Sequence, residues 1–338
     1  MGLGGNLIWT GALKAIHDAD GAPPVVCKKP GLSDLLSGVL WDRAVSLRDD
    51  QVFRLNPHLA FTVSEPKSEL SRLVDWLFSL LIRPQFVQRA FENWISCLAR
   101  ERFKNGEARL VHVDMVIHSY AQAQTSRRMI WKQGGHASQI IAKGFGIENA
   151  IPLCEMVFSA AEEVWLDQFL NSMGLLHPFV VIEPGTNRDW FGSLRGWPRH
   201  RWESLTQRFG LEFPSMPMVQ IGIKETPPID GVIDLRGKTS FRQAALLIRQ
   251  SSLFIGTEGG LMHAAKATDA NALILWGGVT LPEFAGYPES QRVICHYVAC
   301  APCGNLGWCE KDRICMKSIG VDEVIKEIKQ LLSAERVS

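Results

Sequence analysis

Two doubly wound α/β domains separated by a cleft are predicted by three observations. The chain has 338 residues, against about 150 for a typical domain. From His177-Pro178 onward, short apolar strands alternate with helices, the signature of a parallel sheet covered on both faces. Ahead of that point a weaker version of the same alternation runs from residue 24 to residue 173. Hydrophobic residues at 46% and charged residues at 21% are ordinary globular usage and exclude extended disorder. Lys+Arg 36 against Asp+Glu 35 leaves a formal charge of +1, which gives no field to draw nucleic acid. The longest apolar stretch, Leu73–Ile82, has 10 residues and contains Asp75, whereas a membrane span needs ~20. No charged-then-apolar leader precedes a cleavage site, so a soluble cytoplasmic protein, peripheral at most to the inner membrane, is expected.

The elements follow in order. MGLGGNLIWTGALKAIH sets Gly2, Gly4 and Gly5 before a helical run through Leu7, Ile8, Ala12, Leu13 and Ile16, and reads as a glycine turn whose preceding strand is missing. Pro24–Lys28 and Arg43–Leu47 read as strands, with a weak helix around Ser33–Leu36 between them. Ser68–Ile82 and Pro84–Lys104 read as long helices, Leu110–Ile117 as a strand, and Ala137–Phe145 and Ala160–Met173 as helices, the last stopped by Gly174. Strands are expected at Phe179–Glu183, Met218–Ile223, Leu253–Gly256 and Ala272–Trp276. Helices are expected at Pro198–Phe209, Phe241–Gln250, Leu261–Ala267 and Val321–Leu332. The domain boundary falls near residues 174–178, giving units 1–176, 177–320 with a cysteine-rich loop at 295–316, and a C-terminal helix at 321–338.

Two segments look chemical. In LFIGTEGGLMHAAKATDANALILW a strand runs into Gly256-Thr257-Glu258-Gly259-Gly260 and then a helix starting at Leu261. Gly259 and Gly260 let a ligand approach the backbone, and the unpaired N–H groups of Leu261 and Met262 favour phosphate. Glu258 ends a strand, where open α/β sheets place ligands, and a carboxylate there can accept from paired sugar hydroxyls. The plainer alternative makes Glu258 a helix cap. His263 either faces the same pocket or is structural. In IEPGTNRDWFGSLRGWPRHRW, the turn Pro184-Gly185-Thr186-Asn187 and the guanidinium of Arg195 could clamp a diphosphate.

The residues Pro184, Gly185, Thr186, Arg195, Trp197, Pro198, Glu258, Gly260, Met262 and His263 resemble the nucleotide-sugar half of the ADP-heptose glycosyltransferases, the heptosyltransferases. The opening GLGGNLIWTGALKAI and His136, ahead of a helix ending in Gly146-Ile147, resemble further features of that family. The resemblance implies a GT-B fold, two Rossmann-like domains facing each other across a cleft, with the acceptor on the first and the sugar nucleotide on the second. It also implies inversion at the anomeric carbon with no cofactor in catalysis. The family carries an aspartate as general base in the N-terminal glycine turn, where this chain has Asn6, and an amide cannot take a proton near neutral pH. Asn6 is therefore expected to orient the acceptor, with Asp114 or Glu65 as the candidate base. Glu258-Gly259 stands where the family more often has aspartate and a small hydroxyl residue, which leaves the sugar open.

Cys300, Cys303, Cys309 and Cys315 have a spacing that can close four thiolates on a structural zinc or iron ion; reduced thiols or one disulfide supporting a loop are the alternative. Similar clusters occur near the C-terminus of the family, and four cysteines leave no open position for a catalytic metal. Arg127, Arg128 and Lys132, beside Trp131, either meet an anionic acceptor or a membrane surface or form a solvated face. Trp76-Leu77-Phe78 either contacts a membrane or a partner subunit or packs in the core. The expected activity is transfer of a heptose-like sugar from a nucleoside diphosphate, of the ADP-heptose kind, to a glycan, lipid-linked or protein hydroxyl, the enzyme being a homo-oligomer in one reading. The rival is a sugar-nucleotide-binding or scaffold protein that has lost its chemistry, with a cysteine–metal knuckle for assembly.

Overall fold

The computed structural model describes residues 3–27, 51–60, 69–70, 73–74, 76–77, 110–112, 135–175, 178–185, 193–304 and 308–335. The elements in chain order are α1 (Leu3–Asp20), β1 (Val25–Cys27), β2 (Leu110–His112), α2 (Ala137–Gly144), α3 (Ala160–Ser172), β3 (Val180–Ile182), the single turn α4 (Ser193–Arg195), α5 (Arg199–Glu212), β4 (Met218–Gln220), β5 (Ile233–Asp234), α6 (Phe241–Gln250), β6 (Leu253–Thr257), α7 (Gly260–Ala267), β7 (Ala272–Trp276), α8 (Pro282–Ala285), β8 (Arg292–Cys295), α9 (Ile314–Ser318) and α10 (Val321–Glu335). The expected strand at Arg43–Leu47 and the expected helices around Ser33–Leu36 and Pro84–Lys104 lie outside the described residues. Residues 69–70, 73–74 and 76–77 are helical, with Leu70, Leu73, Trp76 and Leu77 exposed rather than in a core.

Six parallel strands form one sheet in the order β5-β4-β3-β6-β7-β8. Val180 pairs with Met218 on β4 and with Leu253 on β6, so β3 lies at the centre. The chain builds outward from β3 through β4 to β5, then crosses back to β6 on the other side, and the reversal between β3 and β6 opens a crevice at the carboxyl edge. The four inner strands, β4, β3, β6 and β7, are buried on both faces. Phe179, Val181, Val219, Phe254, Ile274 and Trp276 face one core with α1, α6 and α7. Val180, Ile182, Leu253, Ile255, Leu273 and Leu275 face a second core with α5, α9 and α10. This two-sided burial explains why the strands read as unbroken apolar runs.

Helix starts follow local chemistry. Ser159 and Glu162 form a capping box on α3, and Ser240 and Gln243 form one on α6. The start of α1 differs from expectation: the helix begins at Leu3 and takes in Gly4, Gly5 and Asn6, with no glycine turn. Those glycines serve packing. A Cβ at Gly4 would sit 2.8 Å from Cδ2 of His263, and one at Gly11 would sit 2.0 Å from the Leu153 carbonyl oxygen. The sheet also holds two strands that the sequence reading missed, β5 and β8; β5 has only two residues and β8 begins on an exposed arginine.

Because nothing larger than hydrogen fits at Gly11, Gly11→Ala should destabilise the protein by about 1–3 kcal/mol through overpacking. Thermal unfolding checks this, and an unchanged midpoint would reject the tight α1 contact.

Candidate functional site

The carboxyl edge of the sheet at the β3/β6 reversal gathers the polar groups. Glu183 follows β3 directly, its N–H donating to the Ile255 carbonyl at 3.0 Å. Glu258 follows β6. Arg195 closes α4, and its Nη2 meets Glu258 Oε1 at 3.0 Å, with side-chain exposures of 17% and 4%. The same oxygen accepts the Thr280 hydroxyl at 2.7 Å, while Oε2 is buried with no hydrogen-bond partner. The two groups assigned separately to diphosphate and sugar are thus an ion pair with each other. Glu258 does not cap α7: the cap position is Gly259, in extended backbone, and no side chain closes that helix start. Leu261 and Met262 bury their side chains in the core, so only their backbone N–H groups could serve a ligand. Gly185 brings the loop after β3 against the loop after β4, since a Cβ there would lie 2.3 Å from Thr226. Arg236 fixes that second loop by bonding Asp234 at 2.7 Å and the carbonyls of Lys224 and Thr226.

His263 is 5% exposed and lies in a polar cluster that joins the two halves of the chain. Its Nδ1 is 3.0 Å from the Tyr287 hydroxyl, and its carbonyl accepts the Cys154 thiol at 3.2 Å. The ring lies against Gly4, where a Cβ would approach Nε2 to 3.3 Å. Burial, helped by His136 and Arg195, pushes the His263 pKa down to about 3, and burial raises the Cys154 thiol to about 12. The His136 ring lies tilted at 40° to that of Tyr287, centroids 4.9 Å apart, and caps α2, its Nδ1 accepting from the Ser138 N–H at 3.2 Å and its Nε2 buried without a partner. Burial lowers its pKa to about 4.

The remaining expected residues divide in two. Asn6 is half-buried on α1 rather than in a turn. Asp114, Glu65, Thr186, Asn187, Arg127, Arg128, Trp131 and Lys132 lie outside the described residues. Among the described residues, no three His, Cys, Asp or Glu side chains are grouped so that they could hold a metal ion. Cys315 is buried in α9, Cys309 Sγ accepts the Arg313 N–H at 3.3 Å, and Cys300 is exposed. Among the described residues no helix is long and apolar enough to cross a membrane. Sequence reading gave no role to Glu183, Cys154, Thr280 or Tyr287. Only Glu183 carried a signal, as an acid ending the apolar run FVVI.

Both buried histidines are neutral in the folded protein and gain a proton on unfolding below their ordinary pKa of about 6.5, so stability falls as pH drops from about 6.5 towards 4. His136→Asn keeps a capping side chain but cannot charge. Its melting temperature should drop less between pH 7 and pH 5 than that of the wild type; an equal drop would remove His136 from the acid response.

Comparisons with known proteins bear on this geometry. Residues 220–310 match the sequence model of glycosyltransferase family 9 (heptosyltransferase). No curated protein matches the chain by sequence. Among solved structures, a glycosyl transferase family 9 protein from Veillonella parvula is 15% identical with a TM-score of 0.63, covering 99% of this chain and 95% of that one. E. coli heptosyltransferase WaaC, solved with ADP, is 13% identical with a TM-score of 0.50, covering 98% and 97%. E. coli ADP-heptose lps heptosyltransferase II is 22% identical with a TM-score of 0.43; the match covers 55% of this chain and 56% of that one, little more than half its length. At these identities the solved structures speak for the fold, and the fold is the GT-B type of family 9. The stretch from β4 through the loop after β8, which contains Glu258, the start of α7 and His263, is the part of the chain that matches the glycosyltransferase family 9 (heptosyltransferase) model.

Proposed function

We propose that this protein is an inverting glycosyltransferase that moves a heptose-like sugar from a nucleoside diphosphate, ADP-heptose or a close analogue, to a hydroxyl of a glycan, lipid-linked or protein acceptor. The observation that carries the proposal is Glu258: a buried carboxylate at the sheet reversal, with one oxygen fixed by Arg195 and Thr280 and the other without a partner, beside a helix start that no side chain caps. A half-used carboxylate suits sugar hydroxyls, and open backbone N–H groups suit the diphosphate. The family 9 domain around these residues supports the same reaction class.

In the proposed step the acceptor oxygen attacks the anomeric carbon opposite the diphosphate. The new C–O bond forms as the bond to the phosphate oxygen breaks, and the hydroxyl proton leaves with a base. Arg195 and the first N–H groups of α7 offset charge growing on the leaving diphosphate. Glu258 holds the ring, and Arg195 in turn holds Glu258. Asn6 carries an amide and orients the acceptor rather than taking its proton. That amide favours a second reading, in which the chain binds the sugar nucleotide without turning it over.

Truncating either member of the buried pair leaves its partner uncompensated at a cost of about 3–5 kcal/mol, so Arg195→Ala and Glu258→Ala would mix stability with function. Glu258→Gln keeps size and the Thr280 contact. It should lower kcat/KM for ADP-heptose by about tenfold to a hundredfold with the fold intact, the worth of one charged hydrogen bond. Wild-type turnover in that variant would overturn this donor site. Thermal shift with ADP-heptose separates the two readings: at 100 times the dissociation constant a ligand adds about 2.7 kcal/mol. Binding with transfer supports the enzyme, binding with no transfer to any acceptor supports the second reading, and no shift refutes both.

A further inference from the structure

The edge at the β3/β6 reversal holds a second acid that the proposed reaction leaves unused. Glu183 is 9% exposed, and its Oε2 is buried with no hydrogen-bond partner. By the alternation along β3 it falls on the face of Phe179 and Val181, the side of the sheet that carries α6 and α7. The backbone around it is built for close approach. Gly222, after β4, has φ +123°, and a Cβ there would stand 3.9 Å from Glu183 Cγ; Gly185 meets Thr226. In doubly wound sheets this reversal, beside a helix start, is where a pyrophosphate lies.

We propose that Glu183 is a binding residue of the donor site that acts in its protonated form, donating its carboxyl proton in a hydrogen bond to the diphosphate of the bound nucleotide. The inference rests on reading this edge as a nucleoside-diphosphate pocket. A carboxylate has no proton to donate and would repel a phosphate oxygen, whereas a carboxylic acid offers one strong O–H donor. The surroundings keep the proton on. Burial alone raises the group's pKa to about 8. Among the described residues, the titratable groups on the elements packed around it are engaged elsewhere: Glu258 with Arg195 and Thr280, His263 with Tyr287, Arg242 of α6 with Glu162, and Arg236 with Asp234 of β5. Lys224 and Glu225, in the loop after β4, are exposed. Glu258 and Glu183 therefore divide the work at one edge, the first as a paired carboxylate for hydroxyls and the second as a neutral acid for phosphate.

The test is ADP binding by calorimetry to the full chain between pH 7 and pH 9, above the titration of the phosphate itself near 6. If only the protonated form of Glu183 binds, wild-type affinity should fall about tenfold over that range, following the fraction protonated. Glu183→Gln, whose amide donates at every pH, should hold its pH 7 affinity at pH 9. A carboxyl that instead accepted from ribose hydroxyls would give tighter binding at high pH, and that trend overturns the proposal. So does a flat wild-type profile, or a fall that Glu183→Gln shares. Failure of ADP to bind at pH 7 overturns the pocket and this inference together, whereas binding with a flat profile overturns this inference alone. The wild-type pH series decides the matter even if the Gln variant fails to fold.

Discussion

Burial of the four inner strands of the sheet on both faces is the constraint from which the rest follows. Val180, Val181 and Ile182 are all fully buried, two against one core and one against the other, so β3 can carry no polar side chain along its length. The same holds for Leu253–Ile255 and Leu273–Leu275. Chemistry is displaced to the first residue past each strand end, and the winding of the sheet decides which ends meet. Glu183 and Glu258 become neighbours in the fold because β3 and β6 pair side by side, although they are far apart in the chain.

The two halves of the chain are joined through the same edge. Gly4 and Gly11 allow α1 to lie against His263 and the Leu153 carbonyl, distances that a methyl group would violate. Behind them, Cys154 and His136 from the first half close a cluster of hydrogen bonds and ring contacts with His263 and Tyr287 from the second. At the far side of this interface, Arg242 of α6 reaches Glu162 of α3, and Arg249 reaches Glu163. The cluster costs the protein two buried neutral histidines.

Much of the second half was legible in sequence. All eight strands and helices expected there fall within a few residues of their expected limits, among them the helix at Phe241–Gln250 and the strand at Ala272–Trp276, because an apolar run of strand length and a Ser-x-x-Gln box each carry their own local signal. The segment 253–263 was recognisable for the same reason: a buried strand, two glycines and a helix start are contiguous. The start of α1 was misread because glycines signal turns locally, and here they answer a helix and a carbonyl that are distant in the chain.

Sequence by itself determined the fold class, the polar turn after β6 and the candidate acid Glu258, since each depends on residues next to one another. Only the tertiary structure decided what those residues contact. It joined Arg195 to Glu258 and brought Tyr287 and Cys154 to His263. It also gave Glu183 its character. An acid at a strand end is an ordinary surface carboxylate until the neighbouring strands and loops bury it, and burial depends on strand order, which no local stretch of sequence encodes.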